Sequence, residues 1–97
     1  MKPYNARVVI LTPGKPQPLC ELPKLVKTVT VAALAANTTA IHIGGSGVRA
    51  RAGEANGLPM MGGNRPDTAT FENVDLSQIF IDAITASEGV SFLAWWE

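Results

Sequence analysis

Short runs of β-branched or alternating apolar residues recur along the chain, separated by turn-forming clusters at intervals of roughly ten residues, a spacing typical of all-β domains. Residues 6–11 (ARVVIL) make the first such run and end at Thr12-Pro13-Gly14. Pro13, Pro16 and Pro18 keep the following stretch extended, with room for one brief pairing over 18–22 before Pro23. The clearest strand covers 27–31 (KTVTV), where Val29 and Val31 share one face and Thr28 and Thr30 the other. Residues 33–36 are long enough for a helical turn only, and 37–39 (NTT) read as a turn. Over 40–43 (AIHI), Ile41 and Ile43 are expected inward and His42 outward. Gly44-Gly45-Ser46-Gly47 then predicts a tight turn in which at least one glycine takes a positive φ. Residues 48–52 (VRARA) alternate again, with Arg49 and Arg51 on one face. The stretch 53–68 is rich in Gly, Pro and Asn and is read as a long loop. Further strands are expected over 70–74, 78–83 and 90–95, with turns at 75–77 and 87–89. Leu76, Ile79 and Phe80 sit at helical spacing, but Ile79, Phe80 and Ile81 in so short a run favour a strand. The pattern predicts one all-β domain over 1–97, a small β-sandwich or jelly-roll-like barrel of about eight short strands. Residues 1–23 form its proline-rich N-terminal strand or arm.

Composition narrows this picture. A chain of 97 residues with 46% hydrophobic and 16% charged residues has enough apolar content for one thin core. A core of that size leaves little spare stability, so a partner surface would add to it. One cysteine, Cys20, permits no intrachain disulfide and reads as a small buried hydrophobe. No signal-peptide pattern and no run of the ~18 apolar residues of a membrane helix is present, so folding in a cytoplasm is expected. The formal net charge of zero gives no case for nucleic-acid binding. The charges are nevertheless segregated: Lys2, Arg7, Lys15, Lys24, Lys27, Arg49 and Arg51 precede residue 52, with Glu21 the one acid among them. After it come Glu54, Asp67, Glu72, Asp75, Asp82, Glu88 and Glu97, with Arg65 the one base. The two halves either pair within the domain or leave a dipolar surface that orders packing between subunits.

No constellation for catalysis emerges. The glycine turn lacks the Lys-Ser/Thr ending and the following helix of a phosphate loop, and Ser46 lacks a nucleophile elbow. His42 has no second ligand at metal spacing. Asp75 and Asp82 flank turns, where aspartate bonds to local backbone. The protein is therefore expected to be no enzyme and to need no cofactor or metal. Partner contact is assigned instead to Met60 and Met61 in the long loop, to Trp95 and Trp96 in the last strand, and to Arg49 and Arg51. Trp96 shares a face with Phe92 and Ala94, and Trp95 with Leu93.

Several segments resemble one known pattern. Residues 39–50 (TAIHIGGSGVRA) resemble the "I-x-V-G-G-S-G-V" strand and turn of small tailed-bacteriophage virion accessory proteins of about a hundred residues, and 57–63 (GLPMMGG) their "G-x-P-L-x-x-G" turn. Residues 73–83 (NVDLSQIFIDA) and 89–95 (GVSFLAW) resemble their next strand pair and their C-terminal strand. The likeness spans roughly residues 27–96; the stretch 64–71 and the proline-rich beginning depart from it. It implies a virion structural protein, made in the host cytoplasm, that decorates or cements a capsid by binding between capsomers. It implies the major capsid protein or another virion protein as partner, a homo-oligomeric state, and neither nucleic acid nor membrane as ligand. A neck or tail accessory protein is the alternative within the class. A carbohydrate-binding β-module, with Tyr4 or Trp96 as the sugar platform, is the alternative outside it.

Overall fold

The computed structural model describes residues 2–51 and 53–96. Eight strands form: β1 (Lys2–Val9), β2 (Gln17–Pro18), β3 (Leu25–Ala33), β4 (Ile41–Gly44), β5 (Leu58–Met60), β6 (Thr68–Asp75), β7 (Phe80–Asp82) and β8 (Gly89–Trp96). One 3₁₀ turn, Leu76–Gln78, separates β6 from β7. The strands make two antiparallel four-stranded sheets, the first in the order β1-β8-β3-β6 and the second in the order β2-β7-β4-β5. The pairs β1·β8, β2·β7, β3·β6 and β4·β5 are those of one long hairpin rolled upon itself. That is the jelly-roll arrangement, two Greek keys closed into a sandwich.

Alternation puts the core between the sheets. Val29, Val31, Val90, Phe92 and Ala94 of the first sheet face Ile41, Ile43, Met60 and Ile81 of the second, all buried. Leu19, Leu76 and Ile79 close the space from the connections. Cys20 is half-buried against this cluster. β3 and β6 change phase together: Val26 and Val29 both point inward, as do Phe71 and Val74, while the pairing register holds on either side. Asn73 takes up the irregularity with φ 53, a left-handed value that asparagine tolerates better than most residues.

The structure departs from the sequence reading in several places. β1 begins at Lys2 and stops at Val9, because β8 offers it a partner along its whole length. Residues 48–51 form no strand; Ala52 lies outside the described residues. Val48 and Ala50 are buried as the alternation requires, but the Arg49 amide donates to Asn56 Oδ1 (2.9 Å) and the Ala50 amide to Asp82 Oδ2 (2.9 Å), so side chains stand in for a ladder. The stretch 53–68 is not one loop, since it contains β5 and the start of β6. Pairing of Ile41 with Met60 carries Met60 into the core, where it is 1% exposed, so it is no surface contact group. None of Gly44, Gly45 and Gly47 has a positive φ; the Val48 amide closes that turn on the Gly45 carbonyl at 3.0 Å. The left-handed glycine nearby is Gly57, at φ +81, where a Cβ would stand 2.7 Å from the Ile43 carbonyl oxygen.

Candidate interaction surface

The outer face of the first sheet is a ladder of three rows. Pairing aligns Pro3, Trp95, Thr28 and Glu72 in one row and Asn5, Leu93, Thr30 and Thr70 in the next; Arg7, Ser91, Ala32 and Thr68 make the third. The rows follow from the inward turn of Tyr4, Phe92, Val29 and Phe71, because neighbours along a strand point to opposite faces. A shallow depression of about 630 Å³ crosses this face beside Arg7, Thr30, Ala32, Ser91 and Leu93. Leu93 is 42% exposed and Trp95 36%, both on β8, which lies between β1 and β3. Thr30 and Thr70 share a hydroxyl hydrogen bond at 3.1 Å, fixing the polar side of the face.

The six residues read from the sequence as contact groups separate in space. Trp95 stands on this outer face. Trp96 lies half-buried on the inner face, where Lys24 Nζ sits 3.9 Å from its ring centroid and 4.4 Å from that of Tyr4. That cation–π sandwich occupies Tyr4 and Trp96, the two aromatics expected from the sequence as a sugar platform. Met60 is core, whereas Met61 is 50% exposed, just beyond the edge strand β5 of the second sheet. Arg49 is half-buried and donates to the Val48 carbonyl at 2.8 Å. Arg51 is exposed, 3.5 Å from Glu54, and lines a cleft of about 280 Å³ with Pro13, Gly14, Ala83 and Ile84.

Sequence reasoning missed the two buried acids. Asp82 is fully buried; its Oδ1 accepts from the Gly14 amide (3.0 Å) and its Oδ2 from Ala50 (2.9 Å), tying two connections to β7. Glu88 accepts from the amide and hydroxyl of Thr38, each at 2.6 Å, from the Thr39 amide at 3.1 Å and from the Thr39 hydroxyl. Burial alone would raise its carboxyl above the ordinary 4.5, but these donors outweigh burial and hold it at about 2. Asn37 completes the clasp, donating to the Gly89 carbonyl (2.8 Å) and accepting from the Gly89 amide (3.1 Å). Gly89 has to lack a side chain, since a Cβ would run into the Val8 carbonyl. Asp75 accepts from the Lys24 and Ser77 amides and the Ser77 hydroxyl, and these bonds lower its carboxyl below the usual range. These three acids thus serve as structural ties. His42 is half-buried rather than on the surface, and its Nδ1 is enclosed with no hydrogen-bond partner among the described residues. Among the described residues no group of three or more His, Cys, Asp or Glu is placed to hold a metal, and no helix is long and apolar enough to cross a membrane. No family model, curated protein or solved structure matches this chain.

Proposed function

We propose that this chain is a virion structural protein of a tailed bacteriophage, a capsid decoration or cement protein that binds between neighbouring capsomers. The observation that carries the reading is the outer face of the first sheet, with Leu93 and Trp95 exposed on a central strand. A core that encloses Met60, Ile41 and Phe92 leaves these two out, and Trp is a frequent anchor of protein interfaces. The likeness of residues 27–96 to small virion proteins supplies the setting. The jelly roll is compatible with it, being a frequent architecture of capsid proteins, although fold alone does not assign function. Repetition over a lattice lets weak individual contacts hold a shell together.

The same face favours one rival. Trp95 beside Thr28 and Pro3 sets an aromatic ring among polar and flat neighbours, as glycan-binding modules do, and lectins share the architecture. One pair of variants separates the two. Leu93→Asp, which puts a charge in the middle of the face, is expected to reduce occupancy on particles and their heat stability, as is Trp95→Ala. Full occupancy with both variants removes the basis of the proposal. Loss of glycan-array binding by Trp95→Ala alone, with occupancy intact, favours the carbohydrate reading.

A further inference from the structure

The first sheet has two open edges of unlike charge. β1 carries Lys2 and Arg7 and no acid; β6 carries Glu72 and Asp75 and no base. Lys2, Arg7 and Glu72 are exposed and form no ion pair among the described residues, while Asp75 is engaged by Lys24 and Ser77. The backbone at these edges follows from the bonds that flank the strands. The Ile10 amide donates to the Glu88 carbonyl at 2.8 Å. Antiparallel ladder bonds recur at every second residue, so Val8, Ala6 and Tyr4 bond to β8 and Arg7, Asn5 and Pro3 turn their backbone groups to the open side. The Val9 carbonyl, which belongs to the outward set, is satisfied by Gln17 Nε2 at 2.8 Å. On the other edge the Ala33 amide donates to the Asp67 carbonyl at 3.1 Å, so Ala69 and Phe71 bond to β3 and Thr68, Thr70 and Glu72 face outward. Each edge therefore presents a short row of unpaired N–H and C=O groups, and Pro3, whose nitrogen has no hydrogen, falls on the outward set, the usual place for proline in a strand.

Strand direction makes the two edges compatible. The sheet alternates over four strands, so β1 and β6 run in opposite directions. A second copy set beside the first in the same orientation brings its β1 antiparallel to β6 and continues the alternation without a break. Arg7, Asn5, Glu72, Thr70 and Thr68 all project from the outer face, so the joined sheets would share one continuous outer surface. Like edges repel: β6 against β6 sets Glu72 near its own copy, and β1 against β1 does the same for Lys2 and Arg7. Edge charges ordinarily keep sheets apart; here they oppose pairing of like edges and favour pairing of unlike ones.

We infer that the β1 edge of one copy pairs with the β6 edge of the next, a head-to-tail contact between copies of this chain that extends the first sheet from subunit to subunit. The contact is heterologous, so it builds a ring or an open series and not a two-fold dimer. It does not depend on binding to a particle and is tested on the purified chain by sedimentation velocity at rising concentration. Assemblies larger than two are expected. With the next copy's β1 slid along so that Arg7 lies opposite Thr70 and Asn5 opposite Glu72, Arg7 and Glu72 are diagonal neighbours. Arg7→Glu and Glu72→Lys are each expected to weaken association roughly threefold to tenfold, from loss of that diagonal pair and gain of a repulsion. The double variant, which restores unlike charges across the contact, is expected to recover it. Thr70→Pro removes an outward amide without touching the β3 ladder and is expected to give a monomer with an unchanged far-ultraviolet spectrum. Should that variant lose its β spectrum, Asn5→Pro removes the corresponding amide on the opposite edge. A monomer at every concentration, a species that stops at two, or assembly indifferent to all of these changes overturns the inference.

Discussion

At the scale of single residues, the clasp around Glu88 joins residues far apart in sequence. Four donors from Thr38 and Thr39 serve one carboxylate, and the neighbouring Gly89 is bonded to Asn37. Because the carboxyl sits at about 2 in the fold against an ordinary 4.5, the folded state binds fewer protons than the unfolded chain between those values. The stabilisation is therefore complete above about pH 4.5 and is lost as pH falls towards about 2. Urea midpoints measured down that range should drop, and Glu88→Gln should flatten that acid limb while costing about 1–3 kcal/mol at neutral pH. None of this was legible in the sequence, where Glu88 looks like a turn residue. Asp82 was hidden for the same reason: its donors, Gly14 and Ala50, lie 68 and 32 residues away. Side chains governed by the period of two were legible, and Val29, Val31, Ile41 and Ile43 all point where alternation puts them. Asp75 lies between these cases, because its bond to Ser77 is local and its bond to Lys24 spans 51 residues.

At the scale of elements, strands with a long partner announced themselves and strands without one did not. β3 and β8 sit inside the first sheet, and their alternation was readable to within one or two residues. β5 has three residues, one of them Pro59, and exists because β4 is beside it. Nothing in a Gly-rich composition reveals such a strand; tertiary pairing overrides local preference. The converse holds for 48–51, which alternate like a strand but bond to Asn56 and Asp82. The methionine pair measures the difference β5 makes. Met60→Ala opens the core and should cost about 2–5 kcal/mol. Met61→Ala, at a half-exposed position, should stay within about 0.5 kcal/mol. Chemical denaturation of the two variants checks this; equal small losses would mean that β5 does not hold Met60 inside.

For the whole molecule, the topology interleaves strands from the two halves of the chain. The first sheet alternates strands from the first and second halves, β1, β8, β3 and β6, but β8 carries no charged residue, so a basic and an acidic strand lie side by side only where β3 meets β6. What remains of the asymmetry is at the outermost strands, which the linear sequence could not single out before the strand order was known. The same order bears on how the chain acquires its structure. Every pairing in the first sheet joins strands distant in sequence, and β8, residues 89–96, lies inside that sheet, bonded to both β1 and β3. Neither of those strands has a lasting neighbour on that side until residues 89–96 have been synthesised, so the nascent chain must remain open until then. Contacts of such long range fold slowly, on the order of milliseconds to seconds. A chain halted at residue 88 should give no cooperative unfolding transition, and stopped-flow refolding of the whole chain should be slow for its size. A sub-millisecond phase, or a sigmoidal melt from the halted chain, would mean that order begins before the last strand arrives. Until it does, the edges of β1 and β3 are exposed to any other strand nearby, which makes the interval during synthesis the period of greatest risk of aggregation.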